Sequence, residues 1–450
     1  MKKPPIPKKI KKILKNHDDI RIDNYFWLRD DKRKNKNVLN YLDKENNYTE
    51  QWFKKNKVNS KHIFEYFKKA IPRFEESFKT KIDEYQYYST SSLSNEYKKY
   101  YRILKGKKRL ILDVNASAKN NDFYNISGIY PSNNHHFIAY GEDVSGRREF
   151  SIVIKDIFKN KIIEKNTCFS DGNIIWNKNS DGYFYLKKNP NTLITNSLFF
   201  HKLGTNVSED KLIYKELDSE FNLSISLSRT KKYLILMISK TESNETRYID
   251  LNAKKISLEC FLKRKKKHLY YIDDTPEEFF ILSNKNNKKN FCLYKTNLKS
   301  TDETNWRTFV HHRKDELIEN FLCFEDFIIL ETRKNGLSQL IQVNKKNKKK
   351  ICIKFKESAY TVNLINNNVY DDKNFSFIYS SLKTPSSIFT QNLYSKKRKK
   401  LWSQKILRYK ENNYETKRIY ITARDGKNVP ISLIYKKGID LKTAPLLQYG

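Results

Sequence analysis

A serine nucleophile raised on a sharp strand-to-helix turn needs glycine two residues to either side, because a Cβ would collide there, which gives the pattern G-x-S-x-G. The glycines of this 450-residue chain stand at 106, 128, 141, 146, 172, 182, 204, 336, 426, 438 and 450, and no two are four apart. The pattern is therefore absent. No Walker-type or dinucleotide-binding glycine loop is present either. The remaining residues with chemistry to offer are two histidine pairs, His135-His136 and His311-His312. Neighbouring side chains on a strand point to opposite faces, so neither pair chelates a metal by itself. Without a carboxylate at ligand spacing, such histidines read as structural or solvated. Ser, Asp and His are plentiful, yet no local spacing selects a triad from them, and a triad assembled from distant residues stays open. Residue by residue, the chain presents no catalytic residue, no cofactor-binding residue and no metal ligand.

The elements that would have to position a site are mostly strands. After a basic arm broken by Pro4, Pro5 and Pro7, two helices are expected before residue 72. Val38, Leu42, Glu45, Tyr48 and Trp52 fall near one helical face. Ser60 is placed to cap a second helix carrying Ile63, Phe64 and Phe67, which Pro72 closes. From about Phe74 the period changes to alternation. Strand-like runs are expected at 85–89, 97–103, 137–140, 150–154, 182–186, 233–238, 279–283, 291–295, 327–332 and 375–380, separated by turns rich in Asn, Asp, Lys and Ser. No long helical pattern interrupts them before about residue 408. So long an all-β stretch of short strands implies a sandwich pair, a barrel or a propeller. Residues 417–437 read as a hairpin around Asp425-Gly426, and 444–450 as the start of a buried strand.

Composition excludes several classes. Hydrophobic residues make up 38% and aromatics 14%, enough for a sizeable core. Lys and Arg number 89 against 51 Asp and Glu, a net charge of +38, which invites a nucleic-acid reading. The excess lies in Lys and is accompanied by Asn, Ile, Tyr and Phe, all with A/T-rich codons, while Gly and Pro are scarce. That pattern points to a genome-wide base bias, so no specific nucleic-acid partner is expected. The five cysteines, at 168, 260, 292, 323 and 352, are scattered with no C-x-x-C. They suit a reducing, cytoplasmic setting. The first 20 residues carry no apolar signal-peptide core, and no run approaches a membrane span, so no membrane partner is expected.

One stretch stands out by its order. Residues 17–31, HDDIRIDNYFWLRDD, run R-x-D-x-Y-x-W-L-R-D ahead of a helix. This closely resembles the N-terminal signature of the prolyl oligopeptidase family of serine peptidases. Asn24-Tyr25 and Arg29-Asp30-Asp31 are most like its oligopeptidase B (protease II) branch. Asp18 departs from the pattern, standing where a glycine is expected. The resemblance continues through YGEDVSGRREFSIVIKDI (140–157), ILSNKNNKKNFCLYKT (281–296), ETRKNGLSQLIQVN (331–344) and YSSLKTPSSIF (379–389). It implies a mainly β fold, with a seven-bladed β-propeller over 73–408, for which the mean spacing is 48 residues. It also implies an N-terminal arm with helices over 1–72, packed on a hydrolase domain, and the first strands of an incomplete α/β-hydrolase domain over 409–450. The family's oxyanion turn is Y-G-Y-G-like. Tyr449-Gly450 resembles its first two letters, so Tyr449 does not inherit the role of the tyrosine that follows them. The triad positions, and the acidic residues that confer preference for Arg and Lys, belong to a part of the family pattern beyond residue 450.

Two functions follow from different classes. The first is the N-terminal propeller part of an oligopeptidase B-like serine endopeptidase. The complete enzyme would cleave short basic peptides after Arg or Lys, with the propeller gating access and a missing hydrolase domain as partner. On this reading residues 1–450 are inactive by themselves. The alternative is a non-catalytic propeller that binds peptides or proteins.

Overall fold

A computed structural model describes residues 3–56, 59–365 and 367–449. The chain divides into two compact units, residues 1–71 and 72–450.

In the first unit, strand Lys12–Asn16 pairs antiparallel with Asp19–Asp23. Helix α1 (Lys36–Lys55) starts at Asn35, whose side chain accepts from the Asn37 amide. The acidic end of the signature stretch prepares that start. Asp30 accepts from the Lys34 and Asn35 amides, both at 2.6 Å. The Asn35 bond leads in holding its carboxyl below the usual range. Helix α2 (Ser60–Lys68) is capped by Asn59, not by Ser60 as expected, because the Asn59 side chain accepts from the His62 amide. Ile63, Phe64, Tyr66 and Phe67 on α2 are exposed.

The second unit is a β-propeller, mainly antiparallel strand, and its longest helix among the described residues is α3 (Val114–Ala118). Six sheets follow in chain order: sheet 1 (74–113), sheet 2 (125–215), sheet 3 (222–262), sheet 4 (270–310), sheet 5 (316–352) and sheet 6 (360–403). The first strands of sheets 3 to 6 begin at Asn222, Tyr270, Glu316 and Tyr360, 44 to 48 residues apart. That interval is the propeller repeat. The alternation forecast from sequence is visible as burial: Phe375 and Phe377 are fully buried and point inward, while their neighbours face out. Apolar clusters fill the junctions between consecutive sheets, for example Leu293 and Phe309 of sheet 4 against Ile328 and Val343 of sheet 5. Among the described residues no strand of sheet 6 pairs with sheet 1. There the Trp402 indole N–H donates to the Glu76 carbonyl at 2.8 Å.

The expectation of seven separate blades is corrected. Five sheets have blade size, and sheet 2 is a single eight-stranded sheet. The cause is the 16-residue strand Lys161–Trp176, whose first part pairs with Phe150–Asp156 and whose last part pairs with Gly182–Lys188. A register shift between Ser170 and Ile174 bends it. At the bend Gly172 (φ +86°) meets Gly141 with no room for a Cβ on either. The two halves of the sheet then face each other across Ala139, Ile152, Ile154, Ile174, Trp176 and Tyr183.

The hairpin expected at 417–437 is present as Tyr414–Thr422 paired with Asn428–Lys436, turning where Gly426 takes φ +76°. The buried strand expected at 444–450 is not. Residues 444–449 form no strand, and Leu447 and Tyr449 are more than nine-tenths exposed. A strand of this apolar type needs paired neighbours on both sides, and none lies there among the described residues. Gly450 lies outside the described residues. No helix among the described residues is long and apolar enough to cross a membrane.

Candidate functional site

Four antiparallel strands return the chain to the end where a sheet began. The first strands therefore run the same way around the ring, and the turns that follow them gather at one end of the central channel. The channel holds a cavity of about 620 Å³. Its wall alternates apolar groups such as Trp176, Phe321 and Leu364 with amides such as Asn133, Asn173 and Asn320. Such a lining offers hydrogen-bond donors and acceptors beside apolar contact, the mixture that suits a peptide.

The gathered turns are tied across the channel. Arg229, in the first turn of sheet 3, donates from Nε to the Cys323 carbonyl at 2.6 Å. Its terminal nitrogens donate to the carbonyls of Asn367 and of Val369, the latter at 2.6 Å. The guanidinium lies 5.0 Å from the Phe324 ring centre. Burial lowers its pKa from the ordinary value. The turn that carries it is fixed by sheet 4: the Arg229 amide donates to Asp273 at 2.7 Å and the Thr230 amide to Asp274 at 2.9 Å. Burial pushes the Asp273 carboxyl up to about 7, and the neighbouring Asp274 charge adds to this.

A second tie runs beside it. Lys231 donates to Asp83 at 3.1 Å, and the other Asp83 oxygen lies 3.0 Å from His135 Nε2. His135 Nδ1 lies 2.8 Å from the Tyr87 hydroxyl. With Nε2–H donating to the carboxylate, Nδ1 is the acceptor for Tyr87. Burial opposes ionisation of Asp83, but the bonds from His135 and Lys231 outweigh it and hold the carboxyl low. Asp83, His135 and Lys231 all sit in the left-handed region, at φ 53°, 54° and 61°. Such conformations cost roughly 1 kcal/mol or more each in non-glycine residues and persist where surrounding bonds hold them.

The four sequence-highlighted histidines do not come together. His135 and His136 lie in a turn, not on a strand, and diverge: His136 Nε2 meets Asp156 at 3.1 Å. His311 and His312 lie in the loop between sheets 4 and 5. Among the described residues no group of three or more His, Cys, Asp or Glu is arranged to hold a metal. One cluster outwardly resembles a triad. His201, fully buried in sheet 2, meets Asp210 at 2.5 Å through Nδ1 and Glu164 at 2.9 Å through Nε2. Both ring nitrogens are spent on carboxylates, so neither is free to take a proton from a hydroxyl, and the cluster cannot act as a general base. Burial disfavours the imidazolium, yet the two carboxylates outweigh it and raise the His201 pKa. No sequence spacing marked Arg229, Asp83 or His201 for these places, since their partners are remote in the chain.

Comparison with known proteins agrees with the fold. Residues 4–404 match the family model described as prolyl oligopeptidase, N-terminal beta-propeller domain. The chain is 29% identical to dipeptidyl aminopeptidase BI of Pseudoxanthomonas mexicana, over 99% of this chain and 64% of that protein. It is 26% identical to protease 2 of Moraxella lacunata, over 99% and 65%. It thus spans just under two thirds of the length of these relatives. Among solved structures it is similar to oligopeptidase B from Leishmania major, with TM-score 0.89 and 23% identity over 98% of this chain and 66% of that one. Oligopeptidase B from Trypanosoma brucei gives TM-score 0.89 and 25% identity over the same shares.

Proposed function

Because the chain belongs to the prolyl oligopeptidase family, close to oligopeptidase B, we propose that it is the propeller-bearing N-terminal part of a serine endopeptidase that cleaves short peptides after Arg or Lys. The observation that carries this reading is the family match over residues 4–404, joined to the absence of G-x-S-x-G from residues 1–450. The nucleophile, acid and base are not identified among these residues, and we place them in the length of the relatives that this chain does not span. Residues 409–450, with the hairpin, are then the first part of the hydrolase domain. Residues 1–72 are the arm that packs on it. The propeller's part is access: a channel lined by amides and apolar groups has room for an extended chain and excludes folded protein. Five cysteines, none of them paired, suit a cytoplasmic setting.

The test uses the 450-residue chain alone and then with a separately made hydrolase domain. Blocked fluorogenic peptides ending in Arg or Lys form one arm, and an unblocked dipeptide substrate, prompted by the name dipeptidyl aminopeptidase BI, forms the other. No turnover by the chain alone and turnover after mixing support the proposal. Turnover by the chain alone, with serine-reactive labelling of it, overturns the proposed placement of the nucleophile.

A further inference from the structure

The turns at one end of the channel do more than meet. Sheets 3 and 6 are separated in the ring by sheets 4 and 5 on one side and by sheets 1 and 2 on the other. A single guanidinium nevertheless joins them, through the Asn367 and Val369 carbonyls, and takes in sheet 5 through the Cys323 carbonyl. Lys231, two residues on, reaches Asp83 of sheet 1, which holds His135 of sheet 2. Asn368 of sheet 6 donates to the Lys81 carbonyl of sheet 1 at 2.9 Å. Every sheet of the ring is thus engaged at this one end, sheet 4 through Asp273 and Asp274. The acceptors of Arg229 are backbone carbonyls and carry no charge. A guanidinium placed for neutral carbonyls across a channel acts as a cross-brace, where an ion pair would have needed only a neighbouring carboxylate.

We infer that Arg229 is a bolt that closes this mouth of the channel, with the Lys231–Asp83–His135 chain as its second fastening. The channel is then single-ended. The opposite end, where the chain enters sheet 1 and leaves sheet 6, is the one from which residues 409–450 continue, so a peptide reaches the channel from the side of the proposed hydrolase domain. The use of the bolt, controlling which end admits peptide, rests on the reading of the propeller as an access filter. Its mechanics do not. Arg229 is 8% exposed and fastened on four sides, whereas Lys231 and Asp83 are about half exposed and open to solvent. The second fastening releases first, and the bolt holds the mouth until the guanidinium leaves its three carbonyls.

Cys323 reports the bolt directly. It is fully buried, and its own carbonyl is a bolt acceptor. Cys168 in sheet 2 and Cys292 in sheet 4 are equally buried and serve as internal controls. The 450-residue chain is labelled with N-ethylmaleimide over time and the sites are quantified by peptide mass spectrometry. In R229M the labelling rate at Cys323 is expected to rise about tenfold, with Cys168 and Cys292 unchanged. In K231M it is expected to rise about threefold. R229K keeps the charge but loses the planar fork, and should fall near R229M. Unchanged Cys323 labelling in R229M overturns the inference. So does a common rise at all three cysteines, which would make Arg229 a general stabiliser. If R229M does not fold, K231M decides: a rise confined to Cys323 supports the bolt and no rise refutes it. None of these outcomes depends on peptidase activity, so failure here is distinct from failure of the proposed function.

Discussion

Replacing His201 with leucine should destabilise the propeller in a way that pH reveals. The imidazole is fully buried between Asp210 and Glu164, whose side chains are 3% and 11% exposed. Leucine is of similar size, so the change removes charge and hydrogen bonds with little cavity. Asp210 would keep only the Tyr185 hydroxyl, and Glu164 the Gly204 amide, the Asn166 side chain and a long bond from the Tyr183 hydroxyl. Stranding buried charge in this way costs roughly 3–5 kcal/mol. With an unfolding entropy of about 2.1 cal/mol/K per residue over residues 72–450, 1 kcal/mol shifts the melting temperature by about 1.3 °C, so H201L should melt roughly 4–6 °C lower. The pH dependence has a definite sign. The His201 pKa is raised, so its contribution is complete below about 6.5 and is lost as pH rises through the raised value. The Glu164 pKa is lowered, against its burial, by the His201 bond, so its contribution is present above about 4.5 and is lost as pH falls through the lowered value. The gap between wild type and H201L is therefore widest between those limits and narrows in alkali. The assay is thermal melting by circular dichroism at about pH 5.5 and at rising pH, with the triple variant E164Q/H201L/D210N as control. A gap under about 1 °C at pH 5.5, a gap that does not narrow in alkali, or a triple variant no better than H201L would refute the reasoning.

Asp273 should lose stability as pH rises, as His201 does and unlike Glu164. Its carboxyl is pushed up to about 7 by burial, so the folded state favours its protonated form, and stability present below about pH 4 is lost as pH rises through about 7; D273N should abolish that loss, measured as urea midpoints at about pH 5 and pH 8. Gly141→Ala would set a Cβ 2.7 Å from the Gly172 Cα and from the Ser127 hydroxyl, costing about 1–3 kcal/mol, read as a lower melting temperature; an unchanged value would show that the bend in sheet 2 can relax. The hairpin leaves Ile419, Tyr420, Ile421, Val429 and Ile434 exposed, and an isolated two-stranded hairpin is marginal in water, so sedimentation should show concentration-dependent association, which a monomer persisting at high concentration would contradict.

Several features were legible in the sequence because they depend on near neighbours. Alternation over five to eight residues marked the strands, since side chains that alternate between core and solvent need no distant information. The hairpin followed from strand pattern and Asp425-Gly426, and the absence of a nucleophile elbow from glycine spacing alone. Other features depended on residues that meet only after folding. Asn59 took the cap from Ser60 because a one-residue offset decides which oxygen reaches the third amide. Sheet 2 stayed whole because Gly141 and Gly172 appose, a contact between strands that alternation does not encode. The strand expected after Ala444 lacked neighbours to pair with. The channel mouth is the extreme case: Arg229 meets Cys323 94 residues away and Asn367 138 away, and Lys231 reaches Asp83 across 148. Nothing in the sequence distinguishes Arg229 from the other basic residues of a chain of net charge +38. Only closure of the ring turns Arg229 inward, because its turn and its acceptor carbonyls become neighbours when the first strands of all the sheets surround one axis.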